Sequence, residues 1–579
     1  MARNYLPLVR AAVQPAQKTM LSFPGLKRCR GVAEDGAGDM KNLCTDAYPR
    51  LRTRKRRVGT DAVMQSAVLC ARGVCDMGEY TYCVEGDGIK QWKGIVTPQT
   101  TKTVKYAASF NQVPRTMAAL RDWLVIMPDC LAIKNDAKKG AVPLCYQIHI
   151  VLTQLQSGES GDQICFVEQS DSRSESLKLR VGDRICFYTC KTDADGMYYP
   201  DSAVGSITVR SLTAGEDNTY LLTTDCQSSA ALSSLVEQGA FIVHDSVPYA
   251  KLTSCANRIW SCNENGMLSA SCLGDPFNYD RYEGLISDAW KLDLGRSFRF
   301  TAAYTYQEHP IFFTEHSITK ILGEDPSEYA VNTMECYGVA RDSEHSVAQA
   351  GDALFWLSNR GVVRYDGTTA TLISQPLGDW ILRGGVAASD GRRYYLSCTT
   401  QEGKRLLVYD TLYGTWSAQD DVQLVGYSRN TEDGGVVLFT DKGNRLFLYD
   451  DDNRSGVEGA FPWYVLFDDL VERDSGICTI ANTRYLHALQ VRMNIPAGTS
   501  VQLSIGYNGG ELTQIAGCAA GPTNQGNASF YIPLQPRRAD RCALQIAGTG
   551  SCEILSVTRV YHIGSGVHTG GIVQQPQQT

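Results

Sequence analysis

What most constrains this chain is a recurrent unit: two short alternating runs joined by a turn rich in Asn and Gly. Its clearest copy reads Asn257-Arg258-Ile259-Trp260-Ser261-Cys262, the turn Asn263-Glu264-Asn265-Gly266, then Met267-Leu268-Ser269-Ala270-Ser271. Alternation with period two marks a half-buried strand, and the turn calls for positive φ, which Gly and Asn supply at low steric cost. Later copies are Pro310-Ile311-Phe312-Phe313 with Ser317-Ile318-Thr319-Lys320-Ile321, and Asp352-Ala353-Leu354-Phe355-Trp356-Leu357 with Val362-Val363-Arg364-Tyr365. Two more are Arg393-Tyr394-Tyr395-Leu396-Ser397 with Leu406-Leu407-Val408-Tyr409, and Gly435-Val436-Val437-Leu438-Phe439 with Arg445-Leu446-Phe447-Leu448-Tyr449.

Two earlier units belong to the series. One holds runs at 66–72, 78–85 and 88–92, the other at 104–109, 117–120 and 123–129. The total is about seven units at spacings of about 40 residues, the arithmetic of a β-propeller. One unit carries a kelch-like detail: Gly384-Gly385 before a strand, with Tyr409 and Trp416 flanking a turn. Such glycines permit close backbone approach, and such aromatics wedge between blades.

Two stretches break the repeat. Residues 136–248 hold strands without blade-like hairpins, including Gln163-Ile164-Cys165-Phe166-Val167-Glu168, and read as a small inserted β-barrel. Residues 471–565 hold five alternating runs in under a hundred positions and read as a C-terminal β-sandwich. The expected organisation is all-β: an N-terminal arm (1–59), a first propeller segment (60–135), the barrel (136–248), a second propeller segment (249–470), the sandwich (471–565) and a disordered tail (566–579).

A net charge of -7 over 579 residues does not advertise nucleic-acid binding by the whole surface, so any such contact is local. The one strong local charge is a run of six basic residues in eight positions: Arg50, Arg52, Arg54, Lys55, Arg56 and Arg57. It reads either as a phosphate contact, for instance with DNA in a channel, or as a solvated arm or charge-blunted edge strand. No apolar run is long enough to span a membrane, and the N-terminus lacks a signal-peptide core; synthesis and assembly in a cytoplasm are expected. The 20 cysteines, many of them single residues inside strand-like runs, read as buried thiols rather than as disulfides or zinc ligands.

The chemistry is sparse. Asp275, in Leu273-Gly274-Asp275-Pro276-Phe277, reads as a turn cap before a general acid. The histidines show no metal-ligand spacing, and His309 and His316 flank a hairpin turn. Asp193-Ala194-Asp195-Gly196 and Asp450-Asp451-Asp452 read as loops rather than cation sites. The expectation is therefore no catalytic residue, no cofactor, no metal, and no enzymatic activity.

The combination Asn257-Arg258-Ile259-Trp260 with Ala270-Ser271-Cys272-Leu273-Gly274-Asp275-Pro276-Phe277-Asn278 resembles a signature of propeller proteins encoded in the structural modules of tailed bacteriophages. Those proteins are often labelled stabilisation proteins, by similarity to the tail-hub or nozzle proteins of short-tailed phages. Asp39-Met40-Lys41-Asn42-Leu43, Tyr48-Pro49 with the basic run, and Pro536-Arg537-Arg538-Ala539-Asp540 fit the same group. The resemblance implies a virion tail protein assembled in the bacterial host cytoplasm. It would form a homo-oligomeric ring, a hexamer, at the head-tail connector, below the portal and its adaptor. That ring would contact tail fibre or distal tail proteins, extend the DNA channel and help retain packaged DNA. The alternative is a carbohydrate-binding or host-adhesion propeller, which would carry exposed aromatics on one sandwich face.

Overall fold

The alternating runs fold as four-stranded antiparallel meanders, as their period and turn residues require. The computed structural model describes residues 16–28, 36–59, 71–85, 88–93, 104–105, 114–128, 131–135, 142–144, 146–157, 163–169, 179, 181–182, 184–192, 198–215, 219–225, 232–244, 251–279, 281–429, 435–441, 445–448, 458–467, 470, 484–519, 526–539 and 542–563. The chain divides into two units, Val68–Arg341 and a second made of Met1–Ala67 with Asp342–Thr579. The tail 566–579 and the loops at 193–196 and 450–452 lie outside the described residues.

Val68–Arg341 holds four meanders. The first is Ala71–Met77, Tyr80–Glu85, Gly88–Lys93 and Val104–Lys105; the second is Thr116–Leu120, Trp123–Met127, Leu131–Lys134 and Val142–Pro143. The third is Lys251–Cys255, Arg258–Cys262, Met267–Ala270 and Trp290–Asp293; the fourth is Ala302–Tyr306, His309–Phe313, Ser317–Leu322 and Ala330–Glu335. Neighbours in chain order share apolar cores, such as Val84 with Ile126, Leu120 with Ile259, and Trp260 with Phe312. Between the second and third meanders the chain forms a closed barrel: Tyr146–Ser157, Gln163–Gln169, Thr219–Thr224, Tyr198–Ala214, Arg184–Thr192 and Gly239–His244. Ile150, Phe187 and Leu222 fill it.

The second unit adds three meanders. They are Ala348–Ala350 to Ala370–Leu372, Arg383–Ser389 to Thr415–Ala418, and the three strands Leu424–Ser428, Val436–Thr440 and Arg445–Leu448. Arg57–Gly59 pairs with Arg445–Leu448 as the fourth strand of the last. The described residues thus contain seven four-stranded blade-type sheets, one closed barrel and a two-sheet sandwich, and the fold is all-β.

The strand allocation differs from expectation in two ways. Val104–Lys105 completes the first meander by pairing with Gly88 and Ile89, not the second. A two-residue strand carries no alternation to show which sheet it joins. More consequentially, residues 1–59 are not a separate arm. Ala16–Met20 pairs with Glu553–Ile563, Leu51–Thr53 pairs with Glu553–Ile563 and Leu43–Cys44, and Asp39–Lys41 pairs with Pro462–Phe467. The sandwich therefore draws four strands from the N-terminal stretch and one from the residues assigned to the propeller.

Phe23 and Leu26 are fully buried in the core that joins blade residues Trp416 and Leu377 to sandwich residues Phe467 and Val465. The Leu26 N–H donates to the Trp416 carbonyl at 2.7 Å, and the Arg28 N–H to the Pro376 carbonyl at 2.7 Å. Gly25 has φ +80°, and a Cβ there would lie 2.3 Å from the Trp416 carbonyl oxygen, so no other residue fits. The kelch-like pair is in place: the Tyr409 and Trp416 rings are 5.0 Å apart, and Trp416 Nε1–H donates across to the Ile373 carbonyl at 2.9 Å.

The hairpin at 258–270 gives its signature a physical meaning. The buried Arg258 guanidinium donates to the carbonyls of Ser271 at 2.7 Å, Asp288 and Ile286, and so closes the loop that leaves Met267–Ala270. The Asp288 carboxylate accepts the N–H groups of Glu283 and Leu285, and these backbone donors hold its pKa below the usual carboxylate range. Asp275 Oδ1 accepts the Phe277 N–H at 2.9 Å, the turn-capping geometry expected of it.

Deleting residues 1–59 is expected to abolish cooperative unfolding of the second unit in calorimetry, whereas removal of a true arm would leave its transition in place. Phe23→Ala is expected to lower stability by about 3–5 kcal/mol, measured by denaturant titration.

Candidate functional site

The basic run is sorted by the backbone that carries it. In Leu51–Thr53 the side chains alternate, Leu51 and Thr53 inward and Arg52 outward. The chain then leaves the strand, and Arg54 turns inward. Its Nε–H donates to Asn42 Oδ1 at 2.8 Å, and its two Nη groups bind Glu458 at 2.7 and 2.8 Å. Arg57 donates to Asp420 Oδ2 at 2.6 Å and to Gln419 Oε1. Burial would raise the Asp420 and Glu458 pKa values, but the adjoining guanidinium groups outweigh it and hold both below the usual range.

This corrects the expectation for two candidate DNA contacts. Arg54 and Arg57 are 6% and 3% exposed and committed to carboxylates, so neither projects toward a ligand on the outer surface. A buried guanidinium needs carboxylates such as these, or carbonyls as at Arg258, because its desolvation is otherwise uncompensated. Arg50 is exposed and pairs with Glu553 at 3.2 Å. Arg52 is exposed and Arg56 half-buried, and among the described residues neither has an ion-pair partner. Lys55 is half-buried; desolvation lowers its pKa, Asp46 opposes the shift, and Arg52 and Arg393 add to it.

Five of the six basic residues, all but Arg50, line a cavity of about 570 Å³. Arg392 and Arg393 enter it from the start of the strand Arg393–Thr400, just past the turn at Asp390-Gly391. Arg392 pairs with Asp410 at 2.6 Å, and Arg393 with Asp46 at 2.6 Å and Asp390 at 3.0 Å. Tyr395 OH donates to Asp390 at 2.9 Å. Cys44 also lines the cavity, but burial and then Asp46 push its thiol up to about 12, so it is not a nucleophile at neutral pH. The lining carboxylates Asp46, Asp390 and Asp410 are thus each engaged by a guanidinium group.

Sequence reasoning found the run but missed Arg392, Arg393 and every carboxylate partner. The available signal was the Arg doublet beside a hairpin turn. Nothing in the sequence pairs it with residues some 350 positions earlier. The cysteines among the described residues are free thiols, and most are buried. Among the described residues no three His, Cys, Asp or Glu side chains gather as a metal-binding group, and no helix is long and apolar enough to cross a membrane. On the sandwich strands the exposed aromatic among the described residues is Tyr531, a single one where a sugar-binding face would carry several.

No family model matches the chain, and no curated protein matches it. Similar solved structures include an exo-beta-1,3-galactanase from Phanerochaete chrysosporium with galactose, at 11% identity and a TM-score of 0.19, covering 52% of this chain and 92% of that one. Another is the extracellular domain of BT4673 from B. thetaiotaomicron, at 9% identity and a TM-score of 0.16, covering 87% and 96%. A third is BBS1N in complex with ARL6DN, at 11% identity and a TM-score of 0.22, covering 69% and 99%. The first of these corrects the expectation of no enzymatic activity. That structure is an exo-beta-1,3-galactanase, and it stands against the expectation. Likenesses of this degree carry no argument about reaction or ligand.

Asp420→Asn, which leaves Arg57 buried and unpaired, is expected to cost about 3–5 kcal/mol at pH 7. Asp420 and Glu458 have folded pKa values below their unfolded ones. Their contribution to stability is therefore full above the ordinary carboxylate values of about 4 and is lost as pH falls through the folded values. The Tm difference between wild type and Asp420→Asn, followed by circular dichroism, is expected to shrink below about pH 4.

Proposed function

We propose that the protein is a structural component of a tailed-phage virion, a tail hub, nozzle or head-tail connector subunit that assembles as a homo-oligomeric ring. The ring, a hexamer in this reading, binds a portal or adaptor protein on one side and distal tail or fibre proteins on the other. Packaged DNA passes along it.

The observation that carries the reading is the role of the residues through which the chain resembles that group. Arg258 ties down the 271–288 loop, Asp275 caps its turn, and Trp260 packs among Trp290, Phe312 and Tyr329. These residues fix architecture, as markers of a rigid assembly subunit would. The exposed Arg50 and Arg52 and the half-buried Lys55 and Arg56 are the members of the run that remain for contact with packaged DNA.

The test is composition and symmetry of purified particles. Mass spectrometry of the particles should detect the chain in stoichiometric, ring-compatible amount, and electron cryomicroscopy should place its density below the portal. Absence from particles made by cells that express it would overturn the reading. Native mass spectrometry of the purified chain should show a closed oligomer; a monomer at all concentrations would argue against ring formation without partners.

A further inference from the structure

A second recess lies in the sandwich, between the hairpin that joins Ser500–Tyr507 to Thr513–Ala519 and the segment that follows Gly526–Pro533. Its volume is about 340 Å³, within the span of roughly 300–1,000 Å³ that small-molecule sites occupy. Ile505, 3% exposed, belongs to the core of this unit, and Tyr507, Ile515 and Leu534 pack against that core, so one side of the recess is apolar. Both walls are held by backbone. The Gly510 N–H donates to the Tyr507 carbonyl at 2.9 Å, across a turn with Asn508 and Gly509 at positive φ, and the Leu534 N–H donates to the His487 carbonyl at 2.8 Å. Each wall brings one exposed charge to the lining, Glu511 from the hairpin and Arg537 from the other segment. Among the described residues these opposite charges form ion pairs neither with each other nor with any other side chain. The Arg537 guanidinium packs over the Tyr507 ring, 5.8 Å from its centroid.

We propose that this recess binds a free α-amino acid with an apolar side chain, independently of the virion reading. Such a molecule holds a carboxylate, an ammonium group and an apolar group on one carbon. The Arg537 guanidinium presents a planar fork that matches the carboxylate, and the Glu511 carboxylate accepts from the ammonium group. The side chain leaves water against Ile505, Ile515 and Leu534. Two opposite charges on one recess, without an ion pair between them, are what select a dipolar ligand: a ligand of single charge satisfies one and leaves the other facing it unmatched. A long peptide is a poorer fit, because its charged ends lie up to about 3.3–3.6 Å further apart with each residue. A neutral sugar is a poorer fit as well, because a face of the Tyr507 ring is taken by Arg537.

The experiment is calorimetric titration of the full chain with L-leucine. Three comparison compounds each lack one feature: leucinamide the carboxylate, N-acetyl-L-leucine the ammonium group, and glycine the side chain. Saturable leucine binding is expected, with each comparison compound weaker by about tenfold or more. In Arg537→Gln the affinity for leucine should fall to that for leucinamide, and in Glu511→Gln to that for N-acetyl-L-leucine. Both side chains are exposed and make no ion pair among the described residues, so the circular dichroism spectrum should not change. No saturable heat with leucine, equal binding of leucine and the three comparison compounds, wild-type leucine affinity in both variants, or saturable binding of galactose in place of leucine would overturn the proposal. None of these outcomes depends on whether the chain is found in phage particles.

Discussion

The pairing of Arg57 with Asp420 ties a strand ladder to a buried ion pair. The backbone of Arg57–Gly59 closes the last meander through Leu448, Phe447 and Leu446, while the Arg57 side chain is sunk among carboxylates of the same unit. A buried guanidinium tolerates no slip in register, because a one-residue shift would turn it to the other face and strand both charges. Hydrogen-bond ladder and ion pair thus enforce one arrangement, and Arg54 with Glu458 repeats the device three residues earlier.

That lock governs the neighbouring parts. Between Ala16 and Thr53 the chain supplies strands to both sheets of the sandwich, and between them it lays Phe23 and Leu26 into the core shared with the blades. The same segment carries the half of the cavity that faces Arg392 and Arg393. Architecture and the lining of that cavity are therefore not separable here.

The blades were legible because each is local. Short apolar runs at 353–358 and 361–365, around a turn, state both strands and their pairing within a dozen residues, and the structure pairs Leu354 with Tyr365 accordingly. The barrel was legible as an interruption of that rhythm. The sandwich was read incompletely, since Asp39–Lys41 and Leu43–Cys44 are too short to show a period and their partners lie hundreds of residues away. The candidate site suffered the same limit. A run of basic residues announces charge, but burial of Arg54 depends on acids at 420 and 458 that no spacing rule connects to it.

Threading residues 16–59 through elements that end at residue 563 also dictates an order of events on the ribosome. Val68–Arg341 is contiguous, and its contacts can form as soon as it emerges. The other unit must wait, with its opening strands already exposed, until the last strand, Glu553–Ile563, has been made. At about 5–20 residues per second, that interval is tens of seconds. During it, unpaired edges rich in Arg and Lys are exposed, and charge of that kind keeps waiting strands from pairing with the wrong chain.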